Sequence, residues 1–161
     1  DAFIPYAVPA LGPWVRGTLV GIALGLSAVF GIAWWLNPYQ PSGEARRMET
    51  HRQLGLPPCT FKVLSGLPCP SCGMTTSFSL LIRGDLWNSL RANGVGTLLG
   101  LFCLAAIPWC LLSAVRGQPL FLVSLELVLM RMVFAFLILM ILRWVVVVAA
   151  LWYTGAVRPG G

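Results

Sequence analysis

The residues of this sequence that could do chemistry together are His51, Cys59, Cys69 and Cys72. Cys69 and Cys72 stand two residues apart, a spacing at which a single turn aims both thiolates at one metal ion. Cys59 offers a third sulfur and His51 a fourth ligand, enough to close a tetrahedral site of the structural zinc type. The pattern is C-x9-C-x2-C with a histidine eight residues upstream, which is not one of the standard finger spacings. A disulfide within the loop would pin it equally well. The run Cys69-Pro-Ser-Cys72 also supports thiol–disulfide exchange, because a cysteine at the start of a helix has a lowered pKa. Against that, the chain lacks the alternating strand–helix pattern of thioredoxin-like enzymes. A third reading leaves the cysteines as thiols packed like small hydrophobes.

Other chemistries find no residues. Covalent haem is excluded because Gly73, not a histidine, follows Cys72. Paired axial histidines are excluded because His51 is the sole histidine. There is no G-x-S-x-G, no Walker loop and no Ser-His-acid set. Asp85 reads as the N-cap of the segment LWNSLRAN and not as a catalytic acid.

The elements that must position the loop are set by lipid. With 58% hydrophobic and only 10% charged residues in 161, the composition lies far from that of a soluble domain. Residues 17–36 form a 20-residue uncharged run, long enough at about 1.5 Å per residue to cross a core of about 30 Å. Trp34, Trp35 and Tyr39 supply an aromatic anchor, and Asn37-Pro38 the exit. Residues 94–115 form a second crossing, interrupted by Pro108, which lipid-embedded helices tolerate. A third lies within 124–153. The expected architecture is an all-α integral membrane protein, a single domain with three transmembrane helices. In its Cys-rich loop, 37–93, GEARRMETHRQ can make a short polar helix, and two short interfacial helices are expected, one starting near Thr75 and Thr76 and one after Asp85.

The formal charge of +6 reads as membrane orientation and contact with anionic lipid, not as affinity for nucleic acid. The loop and tail hold seven basic residues (Arg46, Arg47, Arg52, Lys62, Arg83, Arg91, Arg158) against Arg16 and Arg116 on the other side. By the positive-inside rule the cysteine loop faces the cytoplasm and the N-terminus faces out. Glycines at 17, 21 and 25, and at 96 and 100, allow close helix packing. Cys103 and Cys110 read as packing residues of the second helix.

The third crossing contains Glu126, Arg131 and Arg143. For a span from Met132 to Tyr153, Arg143 falls near the centre, roughly 16 Å from either end. Glu126 is about 25 Å away along the same helix and cannot pair with it. An uncompensated central arginine costs at least about 2.5 kcal/mol. Its expected partner is a group on another chain, with a carbonyl freed near Pro108 or a lipid phosphate as alternatives.

The run LPPCTFKVLSGLPCPSCGMTTS, followed by LIRGD and RAN, resembles a family of small bacterial membrane proteins known as domain of unknown function 2752. That family's pattern is a cysteine, a short apolar loop, C-P-x-C-G-x-T, and an R/H-G-D step before an asparagine. The resemblance implies a multi-pass protein of the bacterial inner membrane and implies no activity. The residues favour a non-enzymatic accessory or assembly subunit of a larger membrane complex, its loop held by a cysteine knuckle with zinc or a disulfide. The alternative is a membrane thiol–disulfide oxidoreductase using Cys69 and Cys72.

Overall fold

The structure, a computed structural model, describes residues 10–118 and 125–155. It is all-helical there, apart from one isolated bridge between Tyr39 and Ala45. Three helices are long and apolar enough to cross a membrane: α1 (Pro13–Trp35), α4 (Leu86–Arg116) and α5 (Leu125–Tyr153). Between the first two lie a 3-10 turn (Thr50–Leu54) and the short helices α2 (Thr60–Ser65) and α3 (Met74–Leu81).

Helix α1 begins a turn earlier than the uncharged run because Pro13 pre-sets the first helical φ. Arg16 is thereby inside the helix, and its Nε donates to the Ala114 carbonyl of α4 at 2.7 Å. Leu19 and Ala23 of α1 pack on Cys110 and Ala114 of α4, so Cys110 is a packing residue. The glycines divide. Gly96 packs against Ser77, and Gly100 against Phe78 and Leu81, whereas nothing described lies within 4 Å of a side chain added at Gly17, Gly21 or Gly25.

The loop departs from expectation in three ways. GEARRMETHRQ makes no polar helix: Gln40 to Ala45 turn back on themselves, with Gln40 N–H donating to the Glu44 carbonyl at 2.8 Å, and only Thr50–Leu54 coil. Helix α3 does not lie on the surface. Thr76, Ser77, Ser79, Leu80 and Leu81 are buried, and Phe78 stacks on Phe30 of α1 with centroids 5.5 Å apart. Ser79 Oγ donates to the carbonyls of Ala33 and Leu36 at the end of α1, and Arg83 donates to those of Ala33 and Trp34. These bonds satisfy carbonyls that a helix end leaves open.

The third departure is in α4. Asp85 caps it as expected, accepting from Asn88 N–H at 3.2 Å, but LWNSLRAN is no separate helix. It continues into the crossing with one break, at Asn93 (φ −158, ψ 101).

Helix α5 follows the segment 119–124, which lies outside the described residues, as does the side chain of Glu126. Arg131 is exposed on α5. The Arg143 guanidinium, expected to pair with a group on another chain, has an acceptor within this one. Its Nη2 donates to the Ala92 carbonyl at 3.1 Å, a group left open by the break at Asn93 and not by Pro108. Counted from Leu125, Arg143 lies about 27 Å along the helix, close to the full hydrocarbon thickness of about 30 Å. Arg143, Asn93 and the end of α1 therefore share one end of the bundle, and the cysteine loop sits there.

Candidate metal centre

Two loop segments bring three sulfurs together. Pro57 and Pro58 hold an extended approach to Cys59, which occupies the residue before α2. Cys69 and Cys72 belong to one turn, closed by Cys72 N–H donating to the Cys69 carbonyl at 3.0 Å, with Pro70 inside it. Gly73 then starts α3 at φ +87. A Cβ here would stand 2.6 Å from the Ala92 carbonyl oxygen and 2.9 Å from that of Arg47, so only glycine lets three backbone segments meet.

The ligand atoms of Cys59, Cys69 and Cys72 all lie within 4.8 Å of one another. The Cys69 and Cys72 sulfurs are 3.1 Å apart, far beyond a bonded S–S length of about 2.05 Å; all five cysteines of the chain are free thiols. Three thiolates around zinc at about 2.3 Å would be separated by roughly 3.8 Å. The observed spacing brackets that value, so the cluster fits a metal ion with adjustments of about an ångström. His51 lines the same cavity of about 250 Å³, beside Lys62 and Thr75, but stands outside the sulfur cluster. Three of the four sequence-derived ligands are thus brought together. The fourth, His51, lines the same cavity without joining the cluster.

The surroundings treat the two turn thiols differently. Burial acts to raise the Cys69 thiol, but hydrogen bonds from Ser71, Cys72 and Cys59 outweigh it and hold it below its ordinary value. Cys72 is pushed up to about 12, by burial first and then by its hydrogen bond to Cys69. Lys62 at the cavity wall is held by Glu49 at 2.8 Å, and this hydrogen bond chiefly lowers the Glu49 carboxyl. Arg143 is close enough to Cys72 to interact with it electrostatically. Zinc with three thiolates carries one net negative charge, which a guanidinium at this edge would balance.

Residues that spacing does not single out hold the turn in place. Asn93, 1% exposed, donates from Nδ2 to the Cys72 carbonyl at 3.2 Å. Its Oδ1 accepts from Gly96 N–H at 3.0 Å, capping the restarted helix. Trp144 of α5 donates from Nε1 to the Pro68 carbonyl at 2.8 Å and meets Phe61 edge-on. Thr50 and Thr76 share a buried hydrogen bond of 2.8 Å that ties the 3-10 turn to α3. Asn93 had a signal in the sequence, as the asparagine ending the RGD…RAN stretch, and Thr76 stood at the expected start of a short helix; Thr50 and Trp144 had none.

Comparison with curated proteins returns no significant match, and comparison with solved structures returns none either. Residues 59–107, from the first loop cysteine to the middle of α4, match the model of the family described as protein of unknown function (DUF2752), the family that the cysteine motif resembles.

Proposed function

We propose that this protein is a non-enzymatic membrane subunit whose cysteine loop is locked by zinc and forms a rigid cap on the cytoplasmic face of a bacterial inner membrane, where it assembles with other membrane subunits. The observation that carries the reading is the convergence of Cys59, Cys69 and Cys72, from two separate loop segments, to within 4.8 Å. The cap is tied to all three crossings, through Ser79 and Arg83 to α1, Asn93 to α4 and Trp144 to α5. Two features support association with other subunits. No described residue packs on the Gly17, Gly21 and Gly25 face of α1, and α5 runs on past Trp144 with Val145, Val146 and Trp152 more than half exposed.

Metal analysis of the purified full chain tests the central claim. About one zinc per chain is expected, lost in Cys59→Ser as well as in Cys69→Ser, with loop thiols that react only after chelation. Zinc well below one per chain, with freely titrating thiols, would overturn it. Co-purification from native membranes tests the subunit role.

The 3.1 Å approach of the Cys69 and Cys72 sulfurs favours one second reading. In it, a Cys69 thiolate attacks a substrate disulfide, Cys72 resolves the mixed disulfide, and the substrate leaves as two thiols while the pair becomes a disulfide. Reversible oxidation of this pair with Cys59 dispensable would select that reading over the zinc cap.

A further inference from the structure

On another side of the loop, the hairpin around Gly43 and the first turns of α4 enclose a second cavity of about 410 Å³. Its walls include Arg46, Arg47 and Arg91, with Asn88 and the carboxylate of Glu44. Three guanidiniums against one carboxylate leave an excess of positive charge. None of the three is in an ion pair among the described residues, where the pairs are those of Glu49 with Arg52 and Lys62. Arg46 is steadied by donating from Nε to the Tyr39 carbonyl at 3.3 Å, and Arg91 by stacking over Trp87 at 5.0 Å. The hairpin is itself tied to α4, through the Tyr39 hydroxyl donating to Asp85 at 3.1 Å. Guanidiniums presented in this way match the oxygens of a phosphate ester.

The setting selects the source of the phosphate. Leu86, Trp87 and Leu90 are exposed on the same turns of α4, at 47%, 66% and 43%. An amphipathic turn with tryptophan beside arginine belongs at the boundary between acyl chains and headgroups. The start of the apolar crossing, at Asn93, is two residues beyond Arg91. We propose that this cavity is a binding site for the phosphate diester of an anionic phospholipid, with Arg47 and Arg91 gripping the headgroup and Leu86, Trp87 and Leu90 against its chains. The site is separate from the cysteine cluster and does not depend on the zinc reading.

The test uses the full chain in a neutral detergent, with bound lipid counted by native mass spectrometry. Dioctanoyl phosphatidylglycerol is expected to bind and dioctanoyl phosphatidylcholine to bind far more weakly. The double variant Arg47→Gln/Arg91→Gln should weaken phosphatidylglycerol binding about 30-fold, the size expected for two arginines at a membrane surface. Arg47→Lys/Arg91→Lys should retain most of it, and Arg131→Gln, on exposed α5, should change nothing. All three variants should melt like the parent without lipid, since the substituted side chains are exposed. Inorganic phosphate competing at the same concentration as phosphatidylglycerol would make the source a soluble anion and overturn the lipid assignment. Equal binding of phosphatidylcholine, or a double variant that binds like the parent, would overturn the site altogether.

Discussion

Gly73 carries the tightest steric demand of the loop, and Gly66 provides its control. Both have positive φ, +87 and +70, but a side chain at Gly66 would meet open space while one at Gly73 would meet two carbonyl oxygens. The left-handed conformation alone costs a non-glycine residue about 1–2 kcal/mol. Gly66→Ala should therefore cost about that much, and Gly73→Ala clearly more, because backbone cannot yield as a side chain does. Thermal unfolding of both variants in detergent checks the ranking, and equal losses would refute it. The same contrast shows what could be read from sequence at this scale. Pairing of Cys69 with Cys72 is local geometry, so two-residue spacing sufficed to foresee it. Contacts of Asn93 with Cys72, Arg143 with Ala92 and Trp144 with Pro68 join residues 21, 51 and 76 positions apart, and no spacing rule encodes the register between segments so distant.

Among the elements, α4 departs most from its sequence pattern. Lipid penalises charged side chains, which is why the first two crossings stand out as uncharged runs and the third as a long apolar stretch broken by Glu126, Arg131 and Arg143. The turns before a crossing are under no such rule, and α4 simply begins eight residues before Gly94. Helix α3 was misplaced for a related reason: its buried Thr76, Ser77 and Ser79 look like surface residues until their partners on the 3-10 turn, α3 itself, α1 and α4 are known. The asparagine at the break acts as an internal cap and as a strut. Asn93→Ala should remove both roles, leaving the buried Gly96 amide and Cys72 carbonyl without that partner, at a cost of about 2–3 kcal/mol. Asn93→Asp keeps the acceptor for Gly96 and loses the donor to Cys72. It should therefore restore helix stability more than it restores zinc affinity. Melting temperature and zinc competition, measured on both variants, separate the two roles; parallel effects would show that they are one.

For the whole molecule, the charge count and the structure make a joint statement about sidedness. Ser42 lies at the tip of the loop hairpin, and Gln118 follows the opposite end of α4, beyond Arg116. Single cysteines placed at these positions in a cysteine-free background should label from opposite sides of the membrane, Ser42 from the cytoplasm. Labelling from the same side would remove one crossing. Labelling of Ser42 from outside would instead place the loop cysteines in an oxidising compartment, where a disulfide is favoured over zinc.

The hydrogen bond between Arg143 and the Ala92 carbonyl also imposes an order in time. A ribosome delivers the loop and α4 well before α5, so the acceptor exists by the time the arginine reaches the bilayer. If the loop has not yet assembled around Gly73 and Asn93, α4 has no reason to break, its Ala92 carbonyl stays inside an unbroken helix, and the incoming guanidinium finds no acceptor there. A guanidinium held in or beside lipid without an acceptor is costly. The last crossing thus depends on the completion of what preceded it: until the loop has assembled, the guanidinium of the final helix lacks its Ala92 acceptor.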